Sequence, residues 1–121
     1  MRFLLTISLT LFCSLNWADN VRVLIQSSPL AGSQYYAVGE QWQQLKVGDR
    51  LELIREPDNR HDCHVIRVEW RGHKLGYVPR AENRSVAAAL DSGDKLLARI
   101  SRLTEHPDPW RRVEFEVFAE L

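Results

Sequence analysis

The sequence predicts a mainly β protein with one α-helix, organised as a small, partly open β-barrel of the OB or SH3 type with five to six strands. Short segments alternate apolar and polar residues, which is the period of a strand with one buried face, and turn-forming residues separate them. One further segment has apolar residues at helical spacing. With 121 residues of ordinary composition, the chain is long enough for one core and one domain.

The first predicted strand runs from Val21 to Gln26, where Val21, Val23 and Ile25 alternate with polar side chains. This alternation predicts a half-buried strand. Residues 27–33 are rich in Ser, Pro and Gly, which predicts a loop. Three other isolated strands are predicted at Arg50–Arg55, Lys95–Leu103 and Arg111–Phe118.

A β-hairpin is predicted in the middle of the chain. Ile66, Val68 and Trp70 are separated by charged residues, so they are expected to share the face that belongs to the core. The Arg71-Gly72 pair then turns the chain into a second strand at residues 73–78.

The predicted helix follows this hairpin. Pro79 fits the first turn of a helix, because its missing N–H is no loss there. Helical spacing continues from Arg80 to Leu90, and Gly93 provides a stop signal.

The first 18 residues predict a secretory signal peptide. Arg2 precedes an uncharged, mostly apolar run from Phe3 to Leu15, which is too short to span a bilayer comfortably. Cleavage is expected after Ala18, which leaves a single domain at residues 19–121. The alternative is an uncleaved leader that tethers the protein to a membrane, because Asn16 is larger than the residue usual at that position. An exported protein, periplasmic or secreted, is therefore expected.

Charge and cysteine content limit the classes of function. The chain has 16 basic and 16 acidic residues, and loss of the leader removes Arg2 and leaves a net charge of −1. Nucleic-acid-binding domains usually carry a basic excess, so a basic surface has to come from local clustering. Loss of Cys13 leaves Cys63 alone, and a single cysteine forms no internal disulfide. A free thiol or an intermolecular pair is expected.

The segment from Arg55 to His64 is the most informative part of the sequence. Its ten residues read Arg-Glu-Pro-Asp-Asn-Arg-His-Asp-Cys-His. Pro57, Asp58 and Asn59 favour chain reversal, because proline fixes φ while Asp and Asn side chains bond the backbone two residues on. A tight polar turn between two strands is therefore predicted, and residues with chemical potential follow it directly.

Two motifs in sequence order resemble those of the HIRAN domain. The first is the turn segment 53–62, which leads into the apolar strand at 65–68, and the second is Gly76-Tyr77-Val78-Pro79 before the helix. The resemblance extends from about Val23 to about Phe118. It implies an OB-like barrel and a module that binds single-stranded DNA at its 3′ end.

The resemblance also implies a set of nucleic-acid-binding residues. In the family, a Tyr-Tyr pair, an aromatic residue beside an Asp, and a ring with a basic side chain lie near the bound strand. The matching residues here are Tyr35, Tyr36, His61, Asp62, Tyr77 and Arg80. Histidine replaces the aromatic residue at position 61; it can still stack, but its ring offers a smaller platform.

From the residues alone, two interpretations of Asp62 stay open. A carboxylate that faces a groove accepts a hydrogen bond from a sugar hydroxyl and repels a phosphate, which would select a free 3′-hydroxyl end. Alternatively, Asp62 is a turn residue that caps backbone N–H groups. The adjacent Tyr35 and Tyr36 would point to opposite faces of extended backbone, one toward the core and one outward.

No metal site, cofactor or catalytic motif is predicted. His61, Cys63 and His64 suggest zinc, but their spacing lacks the two separated pairs of a tetrahedral site. No Gly-Lys pair exists for a phosphate-binding loop, and neither a nucleophile elbow nor a catalytic triad is recognisable. The enzymatic alternative is a metal-dependent hydrolase that uses His61, His64 and Asp62.

The expected function is a non-catalytic module that binds single-stranded DNA ends in an aromatic and basic groove. The alternative is a periplasmic interaction or accessory module that has kept the barrel and binds a protein partner. This alternative rests on the leader and on the near-neutral charge, because an exported protein rarely meets DNA.

Overall fold

Six antiparallel strands form one sheet in the computed structural model, which describes residues 21–121. The strands are β1 (Arg22–Pro29), β2 (Arg50–Arg55), β3 (Ile66–Trp70), β4 (His73–Tyr77), β5 (Leu96–Leu103) and β6 (Val113–Glu120). Two helices complete the fold, α1 (Val38–Gln41) and α2 (Arg84–Asp91). The predicted leader, its cleavage site and Cys13 lie outside the described residues.

The order of the strands in the sheet is β1-β6-β5-β2-β3-β4. β2 connects the two halves of the sheet, because Arg50 and Leu51 pair with β5 whereas residues 52–55 pair with β3. The two edge strands meet at a single isolated bridge between Ala31, just after β1, and Tyr77 at the end of β4. The sheet therefore curls without closing, as expected for an OB-like barrel, and none of the helices in residues 21–121 is long and apolar enough to cross a membrane.

The core lies inside the curled sheet. The side chains of Ile66, Val68 and Trp70 all face it, so the predicted inward face of β3 is confirmed. α2 contributes Val86 and Ala87, and the largest fully buried side chain is that of Phe115 on β6. The hairpin is also confirmed: Arg71 and Gly72 have φ values of 48° and 81°, the left-handed pair that suits a two-residue turn between twisted strands.

The prediction for the first strand is wrong in two respects. β1 continues through Ser27 and Ser28 to Pro29, residues expected in a loop. Proline is tolerated there because β1 is an edge strand, and buried Ser28 donates its hydroxyl hydrogen to Glu82 at 3.0 Å. In addition, the apolar side chains at the start of β1 are exposed, because β1 pairs only with β6 and a bulge at Ile25 interrupts the register.

The predicted helix is divided into two parts. Residues 80–82 form a 3₁₀ turn, in which the Glu82 N–H donates to the Pro79 carbonyl at 2.9 Å, and the α-helix begins only after Asn83. At this division, the Asn83 side chain does not cap the helix but bonds Asp62 in the turn before β3.

Gly76 permits the bridge between the two edges of the sheet. A Cβ atom at this position would collide with the Ala31 carbonyl oxygen and lie 3.1 Å from Leu30 Cγ. We expect Gly76→Ala to lower the free energy of unfolding by about 1–3 kcal/mol, the usual cost of overpacking, in urea or guanidinium denaturation.

Gly39 provides the matched control, because a Cβ there meets nothing within 4 Å and the residue lies in α1. Gly39→Ala should be neutral or stabilising, by about 0.5–1 kcal/mol at most. Equal effects of the two substitutions would show that the approach of Gly76 to Ala31 is unimportant.

Candidate nucleic-acid interface

The turn between β2 and β3 is held by its own polar groups. The Glu56 N–H donates to the Val65 carbonyl across its base at 3.0 Å. Inside the turn, Asn59 accepts from the His61 N–H through its side-chain oxygen at 2.9 Å, the Asx-type bond expected of this residue. The His61 side chain is consequently held at the surface.

Asp62 connects this turn to α2. One carboxylate oxygen accepts the His64 N–H at 2.9 Å, so the turn-capping interpretation of Asp62 is confirmed. The other oxygen accepts the Asn83 amide N–H at 2.9 Å and lies 3.9 Å from Arg80 Nε. The side chain is only 12% exposed, so two bonds occupy the carboxylate and a narrow part of it faces solvent.

These contacts favour the ionised form of Asp62. The pKa of its carboxyl group is lowered, first by the Asn83 hydrogen bond, then by the bond from the His64 backbone, with Arg80 adding a smaller effect. Partial burial opposes this shift but does not overcome it. The Asp62 carboxylate therefore carries a negative charge at neutral pH and offers only hydrogen-bond acceptors.

Arg80 lies beside this carboxylate. Its Nη2 donates to the His61 carbonyl at 3.1 Å, and its side chain is still 77% exposed. The structure thus places His61, Asp62 and Arg80 together, with a guanidinium next to a carboxylate at the surface.

The tyrosines form a second group, which we call the aromatic group: Tyr35, Tyr36 and Tyr77. The rings of Tyr36 and Tyr77 are 5.8 Å apart in an edge-to-face arrangement, and the Tyr35 ring lies 6.4 Å from that of Tyr36. The expected extended backbone with one ring in the core is wrong: Tyr35 ends a 3₁₀ turn that begins at Ser33 and is 75% exposed, and Tyr36 is half-buried at the surface.

Lys74 belongs to the same surface, although it is not one of the predicted site residues. Its Nζ lies 4.2 Å from the Tyr36 ring centroid and 4.6 Å from that of Tyr77, both within cation–π range. In a regular strand Lys74 and Tyr77 would face opposite ways, but a bulge in the pairing of β3 with β4 brings them to one side. The alternation pattern therefore could not have revealed this residue.

Backbone bonds at both ends hold the tyrosine segment against β4. Ala31 and Tyr77 exchange two N–H···O bonds of 2.9 Å, and the Ala37 N–H donates to the Lys74 carbonyl at 3.0 Å. The segment between these two attachments contains both Tyr35 and Tyr36. Its position beside β4 is therefore fixed by main-chain geometry.

Two arginines on the strands that flank the turn, Arg55 and Arg67, are neutralised by local partners. Arg55 donates to both carboxylate oxygens of Asp91, at 2.9 and 3.1 Å, and Arg67 bonds Glu56 and Glu69 at 3.0 and 2.8 Å. Arg80, by contrast, bonds the His61 carbonyl, and Lys74 lies over the Tyr36 and Tyr77 rings.

The six predicted residues thus form two groups, the aromatic group and the Asp62 group (His61, Asp62 and Arg80). Within residues 21–121, no hydrogen bond, ion pair or ring contact joins one group to the other. They are linked through the chain, because Tyr77 and Arg80 are three residues apart. Asn83, the other residue that sequence reasoning missed, could have been suspected only from its place before the helix.

A cluster of potential metal ligands overlaps the Asp62 group. The potential ligand atoms of three residues lie within 4.8 Å of one another: one each from Asp62, Cys63 and His64. His61 does not belong to this cluster. Cys63 is an exposed free thiol, and its sulfur lies 3.7 Å from His64 Nδ1. Three consecutive residues with this geometry do not form the spaced pairs of a structural zinc site.

The fold and the matching sequence define a β-barrel binding module. The model of the HIRAN domain family matches residues 24–121, so the chain belongs to the HIRAN family. HIRAN domains are nucleic-acid-binding modules, not catalytic ones, and the family resemblance of the sequence is confirmed.

Two solved structures are similar to this chain. A crystal structure of a structural-genomics target protein from Lactobacillus plantarum superposes with a TM-score of 0.71 at 26% identity, covering 84% of this chain and 97% of that one. The crystal structure of the HIRAN domain of human HLTF gives a TM-score of 0.58 at 17% identity, covering 82% and 77% of the two chains. A search of curated proteins gives no match.

Asn83 is expected to control the ionisation of Asp62. Asn83→Ala removes the strongest cause of the lowered pKa, so the pKa of Asp62 should rise toward its usual value in a carboxyl-carbon NMR titration. A pKa that is lower in the folded than in the unfolded state stabilises the protein at pH values above the unfolded pKa, and this stabilisation is lost as pH falls through the folded-state pKa. The variant lacks most of this contribution, so it should lose less stability on acidification than the wild type.

Arg80→Ala is the comparison variant, because Arg80 is the weakest of the contributing groups. Its effect on the Asp62 titration should be the smaller of the two. A larger shift in Arg80→Ala than in Asn83→Ala would contradict the assignment of the main cause.

Proposed function

We propose that this HIRAN domain binds the 3′ end of single-stranded DNA along the surface formed by the aromatic group and the Asp62 group. The observation that carries the proposal is the exposed Tyr35 ring beside Tyr36, Tyr77 and the Lys74 ammonium. An exposed aromatic ring with a neighbouring cation suits a stacked base and its phosphate.

The aromatic group supplies sequence-tolerant affinity. Tyr35 offers a free ring face, and stacking of one base on such a ring contributes about 1–3 kcal/mol. The half-buried Tyr36 and Tyr77 support that ring, and Lys74 above them neutralises a phosphate. The attachment of this segment to β4 means that little order has to be gained on binding.

The Asp62 group supplies recognition of the strand end. The ionised carboxylate accepts a hydrogen bond from a terminal 3′-hydroxyl and repels a terminal phosphate at the same place. Arg80, exposed next to it, contacts the preceding phosphate, and the His61 ring stacks on the terminal base or sugar. The carboxylate selects the end, and the neighbouring cation binds the backbone.

A second candidate is an exported module that binds a protein partner through the same surface. It is favoured by the signal-peptide pattern of residues 1–18 and by the absence of net charge. A partner captured from periplasmic extract with an affinity that does not fall with salt would support it, because phosphate binding weakens as salt rises.

Tyr35→Ala is expected to weaken binding of a labelled single-stranded oligonucleotide about 5- to 150-fold in fluorescence anisotropy, which corresponds to about 1–3 kcal/mol of stacking. Trp110→Ala is the matched control, because Trp110 is also exposed but lies in the loop between β5 and β6. Equal losses in the two variants would contradict a specific aromatic group.

Asp62→Asn tests end recognition separately. Wild-type protein should prefer a 3′-hydroxyl oligonucleotide to its 3′-phosphate counterpart, and the neutral amide should remove most of this preference because the repulsion is gone. Arg80→Ala should weaken both oligonucleotides alike and make the logarithmic salt slope shallower by about 0.7, the value for one contact to a single strand. A wild type that binds both ends equally would overturn the role of Asp62.

A further inference from the structure

A basic pocket on the outer face of the sheet lies away from both groups of the proposed site. It has a volume of about 280 Å³, and its lining includes three arginines from three strands, Arg22, Arg50 and Arg99. Leu97 and Phe118 form its apolar part.

The arginines of this pocket are poorly neutralised. Arg50 and Arg99 are direct cross-strand partners, an arrangement that is unfavourable for like charges unless an anion lies between them. Arg99 reaches Glu116 only at 3.8 Å, and Arg22 reaches Glu120 only at 3.7 Å. Within the described part of the chain, the Arg50 side chain makes no ion pair and no hydrogen bond.

Exposed apolar side chains lie at the free edge of the sheet next to this pocket, with Leu24 on the same face as Arg22 and the pocket and with Val21 and Val23 on the opposite face. Val21, Val23, Leu24 and Ile25 are each between 44% and 52% exposed, and Leu121, whose N–H donates to the Val21 carbonyl, is 80% exposed. Leu24 pairs across the sheet with Phe118 on β6, and Phe118 pairs with Leu97 on β5. The apolar row therefore runs from the free edge into the basic pocket.

Apolar side chains flanked by arginines are the combination that binds an anionic membrane surface. Only residues 16–20 separate the uncharged run Phe3–Leu15 from Val21. The start of β1 is therefore the part of the domain that lies next to the predicted leader in sequence. The opposite end of β1 leads to Ala31 and the aromatic group, nine residues and roughly 30 Å of extended chain away.

We propose that the start of β1 and the Arg22–Arg50–Arg99 pocket form a docking surface for an anionic phospholipid bilayer. The arginines bind lipid phosphates, and the apolar side chains of β1 enter the headgroup boundary. The domain is thereby held at a membrane with its aromatic group at the far end of β1.

Vesicle sedimentation of the full chain tests this proposal, with phosphatidylcholine vesicles compared with vesicles that also contain phosphatidylglycerol. Because the chain has no net charge, a preference for the anionic vesicles has to come from a local cluster. Arg50→Gln combined with Arg99→Gln should reduce that preference on the order of tenfold. The leader is identical in all variants, so its contribution cancels in the comparison.

Arg102→Gln combined with Arg111→Gln is the matched control. It changes the net charge by the same amount as the Arg50 and Arg99 variant. Like Arg99, Arg102 belongs to β5 and lies near a glutamate, 3.5 Å from Glu114. The control should keep the preference for anionic vesicles. Equal losses in both double variants, or no loss in the Arg50 and Arg99 variant, would overturn the proposal.

Two further measurements complete the test. Leu24→Thr with Ile25→Thr retains strand propensity and should weaken binding to the anionic vesicles, whereas Trp110→Ala, equally exposed elsewhere, should not. Oligonucleotide binding should be unchanged in the Arg50 and Arg99 variant. If that variant instead loses oligonucleotide affinity and keeps its vesicle preference, the pocket binds nucleic-acid phosphates and the lipid proposal is wrong.

Discussion

The backbone bridge between Ala31 and Tyr77 is the contact on which the shape of the molecule depends. β1 and β4 are the two edge strands of the sheet. The two hydrogen bonds of the bridge join the end of β1 to the end of β4. The bridge is possible because residue 76 has no side chain. It also determines the surface, since the tyrosine segment that follows Ala31 has to lie along β4. A single approach of two backbones thus couples the curvature of the sheet to the position of the aromatic group.

Much of this architecture is contained in the local sequence pattern. The strand at Arg50–Arg55, the inward face of β3 and the Arg71-Gly72 hairpin follow from alternation and turn chemistry, both of which act over a few residues. The position of Lys74 does not follow, because a bulge shifts the alternation and only the pairing with β3 shows it. The exposure of the first strand does not follow either, since an apolar alternating strand has the same pattern whether or not a second layer covers it.

The dual role of Asp62 shows why site residues are harder to predict than strands. The turn interpretation and the ligand interpretation are both compatible with a carboxylate at this position, and the structure confirms the first without excluding the second. Both oxygens accept protein N–H groups, yet a carboxylate has acceptor capacity for more than two hydrogen bonds. The bond to Asn83 spans 21 residues, so no local pattern contains it. This long-range bond lowers the pKa of a carboxyl group that is ionised at neutral pH in any case, so its main effect is to hold the carboxylate in place.

The neutral total charge of the chain is consistent with two separate basic surfaces, because charge acts locally over about 8–10 Å at physiological salt. Near the turn, Arg55 and Arg67 are held by carboxylates, whereas Arg80 lies beside Asp62 and Lys74 lies over the Tyr36 and Tyr77 rings. On the outer face, three arginines gather around one pocket, and two of them, Arg22 and Arg99, lie 3.7 and 3.8 Å from a glutamate. Carboxylates interleave with the cations on both surfaces, so neither surface is uniformly basic. A uniformly basic domain would bind any polyanion, whereas this distribution restricts where an anion can be held.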